Sequence, residues 1–219
     1  MLLGLTRLQA ALQYSAVLNY CGSSCRMLSS ILPDVLASNP VQQPAEQVQI
    51  VDEQNQPVGS ATRKDLREKH LLHRCSFVIT RNSQDQVLVQ KRVHFKEIYP
   101  SFYDPAPGGV VGAGESYEES ATREIEEEMG ISGVTLEKCF EFFYRDKMAQ
   151  HFGGVFSCKY DGPLKLDPQE VESAEWWSLQ DVQKLLKEGP VSPDSKVAFE
   201  RYLAEWEKQS GPWGAAHIT

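Results

Sequence analysis

An α/β fold, a mixed sheet sandwiched between helices, is what the chain predicts from about residue 47 onward. Two observations carry that expectation. Short runs rich in β-branched and aromatic residues alternate with segments whose apolar residues recur every three or four positions. The composition, 41% hydrophobic and 24% charged over 219 residues, is that of a globular domain with one good core plus an appendage.

The elements follow in order. VQIVDE, around 47–52, RCSFVIT (74–80) and QVLVQKR (86–92) have the alternation of strands, and RKDLREKH between the first two predicts a short helical turn. Residues 116–129 form the strongest helix, with Ser116 and Glu119 as a capping box and Gly130 as its stop. LEKCFEFFYRD (136–146) and HFGGVFSCKY (151–160) predict an antiparallel pair joined near Lys147–Gln150. VESAEWWSL predicts a last strand, in which alternation sends at least one of Trp176 and Trp177 into the core. LQDVQKLLKEG and SPDSKVAFERYLAEWEKQ are helical, the second opened by Ser192 and Pro193. These elements make one domain over 47–208, with a tail over 209–219.

The N-terminal residues differ. Residues 1–33 hold Arg7 and Arg26, many Ser, Leu and Ala, and no acid before Asp34. That composition predicts an organelle transit peptide, within a segment 1–37, and a mitochondrial or plastid address. A disordered N-terminus, or a start at Met27, would instead leave the protein cytoplasmic. SNPVQQPAE (38–46) predicts a linker.

Net charge is -8, from 22 basic and 30 acidic side chains, which argues against a general binder of nucleic-acid polymers or anionic membranes. No apolar run approaches the ~20 residues of a spanning helix. The five cysteines, Cys21, Cys25, Cys75, Cys139 and Cys158, predict reduced thiols rather than a disulfide framework. Cys21 and Cys25 have no second Cys/His pair nearby to complete a zinc site.

The helix over 116–129 carries an apparent fault. Glu124, Glu126, Glu127 and Glu128 crowd its C-terminal half, where the helix dipole disfavours anions and each like-charge pair costs roughly 0.2–0.5 kcal/mol. Ala121, Ile125 and Met129 form the packing stripe. Glu124, Glu127 and Glu128 converge on another face, and Glu126 points to solvent. A solvated acidic face is the usual meaning of such a run. Here a glycine-rich loop, PGGVVGAGE (107–115), stands in front of it and lets backbone approach a ligand. Convergent carboxylates suit a hard divalent cation, and the ion would remove the repulsion.

Gly109, five residues, Glu115, seven residues, then Arg123-Glu124-Ile125-x-Glu127-Glu128-x-Gly130-Ile131 reproduces the Nudix box in full. Chance agreement at all nine positions is on the order of one in ten million, from ordinary residue frequencies. The chain is thus identified as a member of the Nudix hydrolases, and the resemblance implies a Nudix α/β/α sandwich with a mixed sheet. It implies that Glu124, Glu127 and Glu128, with the carbonyl of Gly109, hold Mg²⁺ or Mn²⁺. It implies that Arg123 pairs with Glu115, bracing the loop against the helix. The activity implied is cleavage of a diphosphate bond in a small molecule of the nucleoside diphosphate-X type or a related one. The general base is open among Glu124, Glu127 and two acids beyond the box, Glu170 and Glu172.

Other residues carry weaker expectations. Arg92 and Lys91 could donate to substrate phosphates, although strand-end surface charges are the commoner case. His73 and His151 are expected to be satisfied structural histidines. A homodimer stays open. VGSATRKDLREKHLLHRCSFVIT and FYDPAPGGVVGAGES resemble the branch near isopentenyl diphosphate isomerase. The segment before Gly109 has no cysteine or histidine, so hydrolysis is preferred to isomerisation, and a non-catalytic binding module is disfavoured because every box acid is kept.

Overall fold

The computed structural model describes residues 46–210 and residue 213, with the side chains of 209 and 210 outside the description. The expected transit peptide, most of the linker and all but residues 209, 210 and 213 of the tail lie outside the described residues.

Strand β3 (His73–Arg81) organises the sheet because it pairs along both edges. On one edge it runs parallel to β8 (Gln150–Lys159) in nine-residue register, from His73 opposite His151 to Arg81 opposite Lys159. On the other it meets β1 (Gln47–Val51), β6 (Gly108–Val110) and β4 (Val87–Arg92), all antiparallel. Further antiparallel partners extend the sheet: β2 (Pro57–Thr62) on β1, β5 (Tyr103–Asp104) and β9 (Val171–Trp177) on β4, and β7 (Glu137–Arg145) on β8. Among the described strands, the one parallel pairing joins strands separated by a long crossover that contains a helix, as parallel neighbours require.

Both faces of β3 are covered, so it is buried along nearly its whole length, polar residues included. Cys75, Phe77 and Ile79 face one cluster, which includes Leu66, Leu185, Leu186, Phe199 and Tyr202. Those residues come from α1 (Arg63–Glu68), α3 (Leu179–Glu188) and α4 (Pro193–Ser210). Val78 faces the other cluster, with Ala121, Ile125 and Met129 from α2 (Tyr117–Met129) and Phe156 from β8. The helices on the two faces make the α/β/α sandwich. Trp176 and Trp177 split as alternation demands, one packing on each cluster and each half-buried.

Three strands were not expected from the sequence. β2, PVGSAT, is largely exposed and holds no apolar stripe, while β5 and β6 have two and three residues. Their existence depends on partners distant in sequence rather than on their own composition.

Helix α2 ends as its sequence dictates. Ser116 Oγ accepts from the Glu119 amide at 3.2 Å, and Glu119 Oε2 accepts from the Ser116 amide at 2.8 Å. Gly130 adopts φ 69°, and its amide donates to the Glu126 and Ile125 carbonyls. Replacing Ser116 by Ala should therefore cost about 1 kcal/mol of unfolding free energy. Urea titration checks this, and an unchanged midpoint would show that the cap contributes nothing.

Candidate active site

The loop before α2 approaches β3 so closely that a Cβ on Gly108 would collide with the Ser76 carbonyl. A Cβ on Gly109 would lie 2.2 Å from the carboxyl carbon of Glu124, so only a glycine leaves room for that carboxylate against the backbone. Gly109 is held there by its pairing with Ser76 on β3.

Arg123 then joins the loop to the helix. Its Nε and Nη2 donate to the two oxygens of Glu115 at 2.8 and 3.0 Å, a bidentate pair. Glu115 also accepts from the Gly112 amide at 2.8 Å. Nη1 of Arg123 donates to Glu124 at 2.7 Å and to Glu127 at 3.2 Å. The hydrogen bonds from Arg123 hold the Glu115 carboxyl below the usual carboxylate range, and Glu115 in turn raises the guanidinium further.

The acidic face has two buried members and one exposed. Glu124 and Glu128 are buried, whereas Glu127 and Glu126 are open to solvent. Burial raises the Glu124 carboxyl, against the pull of Arg123. Burial also pushes Glu128 up to about 7, with the Glu124 charge adding to the rise and Lys96 opposing it. Glu128 also faces the amide of Gln90, itself fully buried on β4.

Four cationic side chains line the same cleft as this face. The cleft, of about 890 Å³, is lined by Gly109, Arg123, Glu124, Glu127 and Glu128 and also by Arg63, Arg67, Arg92 and Lys96, which pair with Glu46, Glu97, Asp104 and Glu170. Arg63 and Arg67 come from α1, Arg92 from the end of β4, and Lys96 from the loop after it. Arg92 is fixed by Asp104 at 3.2 Å and by the Ile98 carbonyl at 3.1 Å. Lys96 pairs with Glu170, and burial lowers its ammonium from the ordinary value.

The other residues singled out from the sequence divide. Glu170 lines the cleft, but Glu172 does not: it lies on β9 and pairs with Lys91 at 2.6 Å. Lys91 is therefore also absent from the cleft lining, because alternate residues of β4 point to opposite faces and Arg92 faces the site. Sequence reading missed Arg63, Arg67 and Lys96. Only the folded chain, in which Arg63 and Arg67 line the same cleft as Gly108 and Gly109, reveals the two arginines.

A smaller cavity of about 150 Å³ adjoins the cleft and shares Arg63, Arg67, Arg92, Gly108 and Gly109 with it. His73, Cys75 and His151 line it. His73 matches the expectation of a satisfied histidine, since its Nδ1 lies 3.0 Å from the Leu71 carbonyl. His151 does not: it is buried with neither ring nitrogen hydrogen-bonded. Burial lowers both imidazoles to about 4.

The described carboxylates give a donor set of hard oxygens, which fits Mg²⁺ or Mn²⁺. Comparison with known proteins agrees with this geometry. The model of the NUDIX domain matches residues 71–199. A Nudix hydrolase of Pseudomonas aeruginosa is 38% identical over 159 residues, covering 73% of this chain and 94% of that protein. The crystal structure of DR0079 from Deinococcus radiodurans superposes with a TM-score of 0.61 at 24% identity, covering 71% of this chain and 98% of that one. The NUDIX domain of Shewanella oneidensis NrtR, complexed with ADP ribose, gives 0.50 at 17% identity, covering 60% and 86%.

The buried carboxylates make a pH signature. Glu128 binds its proton more tightly in the folded state, so its charged form opposes folding, and stability is lost as pH rises from 4.5 toward about 7. In metal-free buffer, Glu128→Gln should gain stability over the wild type at pH 7.5 and show little gain at pH 4.5. Urea unfolding at the two pH values checks this, and a pH-independent difference would contradict it.

Proposed function

This chain belongs to the Nudix hydrolase family and is a Nudix pyrophosphohydrolase, and we propose that it is a Mg²⁺-dependent enzyme that cleaves a small-molecule diphosphate of the nucleoside diphosphate-X type or a related one. The observation that carries this reading is that an acidic helix face and four cationic side chains line one cleft. Nudix hydrolases generally use divalent metal ions. Here Glu124, Glu127 and Glu128, with the Gly109 carbonyl, would hold Mg²⁺ or Mn²⁺. When bound, the ion offsets the charge that develops on the diphosphate oxygens and lowers the pKa of an attacking water.

The chain's own residues supply the rest. Arg63, Arg67, Arg92 and Lys96 bind the phosphates that the ion does not neutralise, and their fixed positions orient the scissile bond. Arg123 positions Glu124 and Glu127. The base that takes the water's proton is Glu124, Glu127 or Glu170, and Glu172 leaves that group because it faces Lys91. Glu127 is exposed, so it can change partner from Arg123 to ion or water without moving the helix. The ADP ribose bound by the NrtR domain supports a small-molecule diphosphate as the substrate class.

An isomerase-type reading has one observation in its favour: Cys75 lies in the cavity beside Gly109, although the segment before Gly109 contains no cysteine. Burial holds its thiol well above the ordinary value, so it is a poor source of thiolate. For localisation, we propose that residues 1–33 direct the protein to a mitochondrion or plastid, on their basic, acid-free composition alone.

Glu127→Gln should lower Mg²⁺-dependent hydrolysis by two or more orders of magnitude across a diphosphate panel while circular dichroism stays unchanged. Phosphate or monophosphate release measures this, and near wild-type turnover would refute the assignment. The same panel should show no interconversion of isopentenyl and dimethylallyl diphosphate by the wild type.

A further inference from the structure

We propose that His73, Cys75 and His151 form a second metal site, separate from the carboxylate face, that binds a borderline-soft divalent transition ion of the Zn²⁺ class. One ligand atom from each lies within 4.8 Å of the other two. Among the described residues, this is the set of potential ligands drawn together so closely, and the acidic face of α2 is not.

The parallel register builds the site. His73 and His151 are directly opposite on β3 and β8, with ring centroids 5.6 Å apart, and Cys75 projects from the same face of β3 two residues on. A tetrahedral ion with N and S ligands at about 2.0–2.3 Å would need only small side-chain shifts from this spacing. His73 is already oriented: its Nδ1–H donates to the Leu71 carbonyl, leaving Nε2 as a lone-pair donor, the arrangement that commonly fixes a metal-binding imidazole.

The independent observation is His151. Buried imidazoles that serve packing normally hydrogen-bond, yet both nitrogens of His151 lack partners although its ring is stacked on Tyr144 and edge-on to Phe142. A metal would satisfy one of them. The thiol would give its proton to solvent as the metal–sulfur bond forms. Two imidazoles and a thiolate select against Mg²⁺, which prefers oxygen, so the two sites would not compete for one ion. Three protein ligands leave a fourth position, and the cavity that adjoins the diphosphate cleft provides room for it.

Co²⁺ titration of chelator-treated full-length protein tests the proposal without using activity. With Mg²⁺ in excess to occupy the carboxylate face, the wild type should take up one equivalent that shows a thiolate-to-Co²⁺ charge-transfer band and tetrahedral visible bands. Cys75→Ser should lose the charge-transfer band, His151→Asn should weaken binding at least tenfold, and Glu128→Gln should keep both features. That last result also separates this proposal from the hydrolase reading, which Glu128→Gln damages. If Cys75→Ser does not fold, His151→Asn decides. The proposal is overturned if the wild type shows no charge-transfer band, or if the band and affinity survive in the folded variants, which would assign them to other cysteines.

Discussion

Burying carboxylates on the C-terminal half of a helix is a constraint that shapes everything around the cleft. Glu124 and Glu128 are both removed from water, and both are pushed toward their neutral forms by that burial. An isolated buried carboxylate costs several kcal/mol, so the surroundings must either neutralise it or supply charge. Arg123 supplies one positive group shared among Glu115, Glu124 and Glu127. Arg63 also pulls on Glu124, and Lys96 and Arg92 on Glu128, yet burial still raises both carboxyls. The residual negative charge is what a divalent cation would take up, and the Gly109 backbone is brought against Glu124 to make room for that chemistry.

The fold serves this constraint. α2 packs through Ala121, Ile125 and Met129 onto one face of the sheet, which fixes the rotation of the helix and so the direction of its acids. β6 pairs with β3, which fixes Gly109. α1 lines the same cleft with Arg63 and Arg67. A rotation of α2 by one residue would turn Glu124 and Glu128 away from the cleft.

Much of this was legible in the sequence because it rests on local rules. The capping box, the Gly130 stop and the i, i+3, i+4 spacing of Glu124, Glu127 and Glu128 are contained within α2, and the long strands announce themselves by composition. The spacing from Gly109 to Ile131 named the family before any fold was known. What stayed hidden depends on distant partners. β2, β5 and β6 are too short or too polar to carry a pattern of their own. Lys91 and Glu172 looked equivalent to Arg92 and Glu170, but strand faces separate Lys91 from Arg92, while Glu170 lies in the turn before β9 and Glu172 within the strand. Period-two alternation already forbids Lys91 and Arg92 from sharing a face, a signal that was available in the sequence. The pairing of His73 with His151 was not, since it is set by the parallel register of β3 and β8.

The claim that a divalent ion offsets the repulsion on α2 is tested most directly by thermal unfolding as Mg²⁺ is added. A ligand that binds the folded state alone raises stability by RT ln(1 + [L]/Kd). The wild type should therefore gain Tm steadily with Mg²⁺, while a Glu124→Gln/Glu128→Gln protein should start higher in chelator and gain nothing. Equal Mg²⁺ dependence in both proteins, or none in the wild type, would contradict the account.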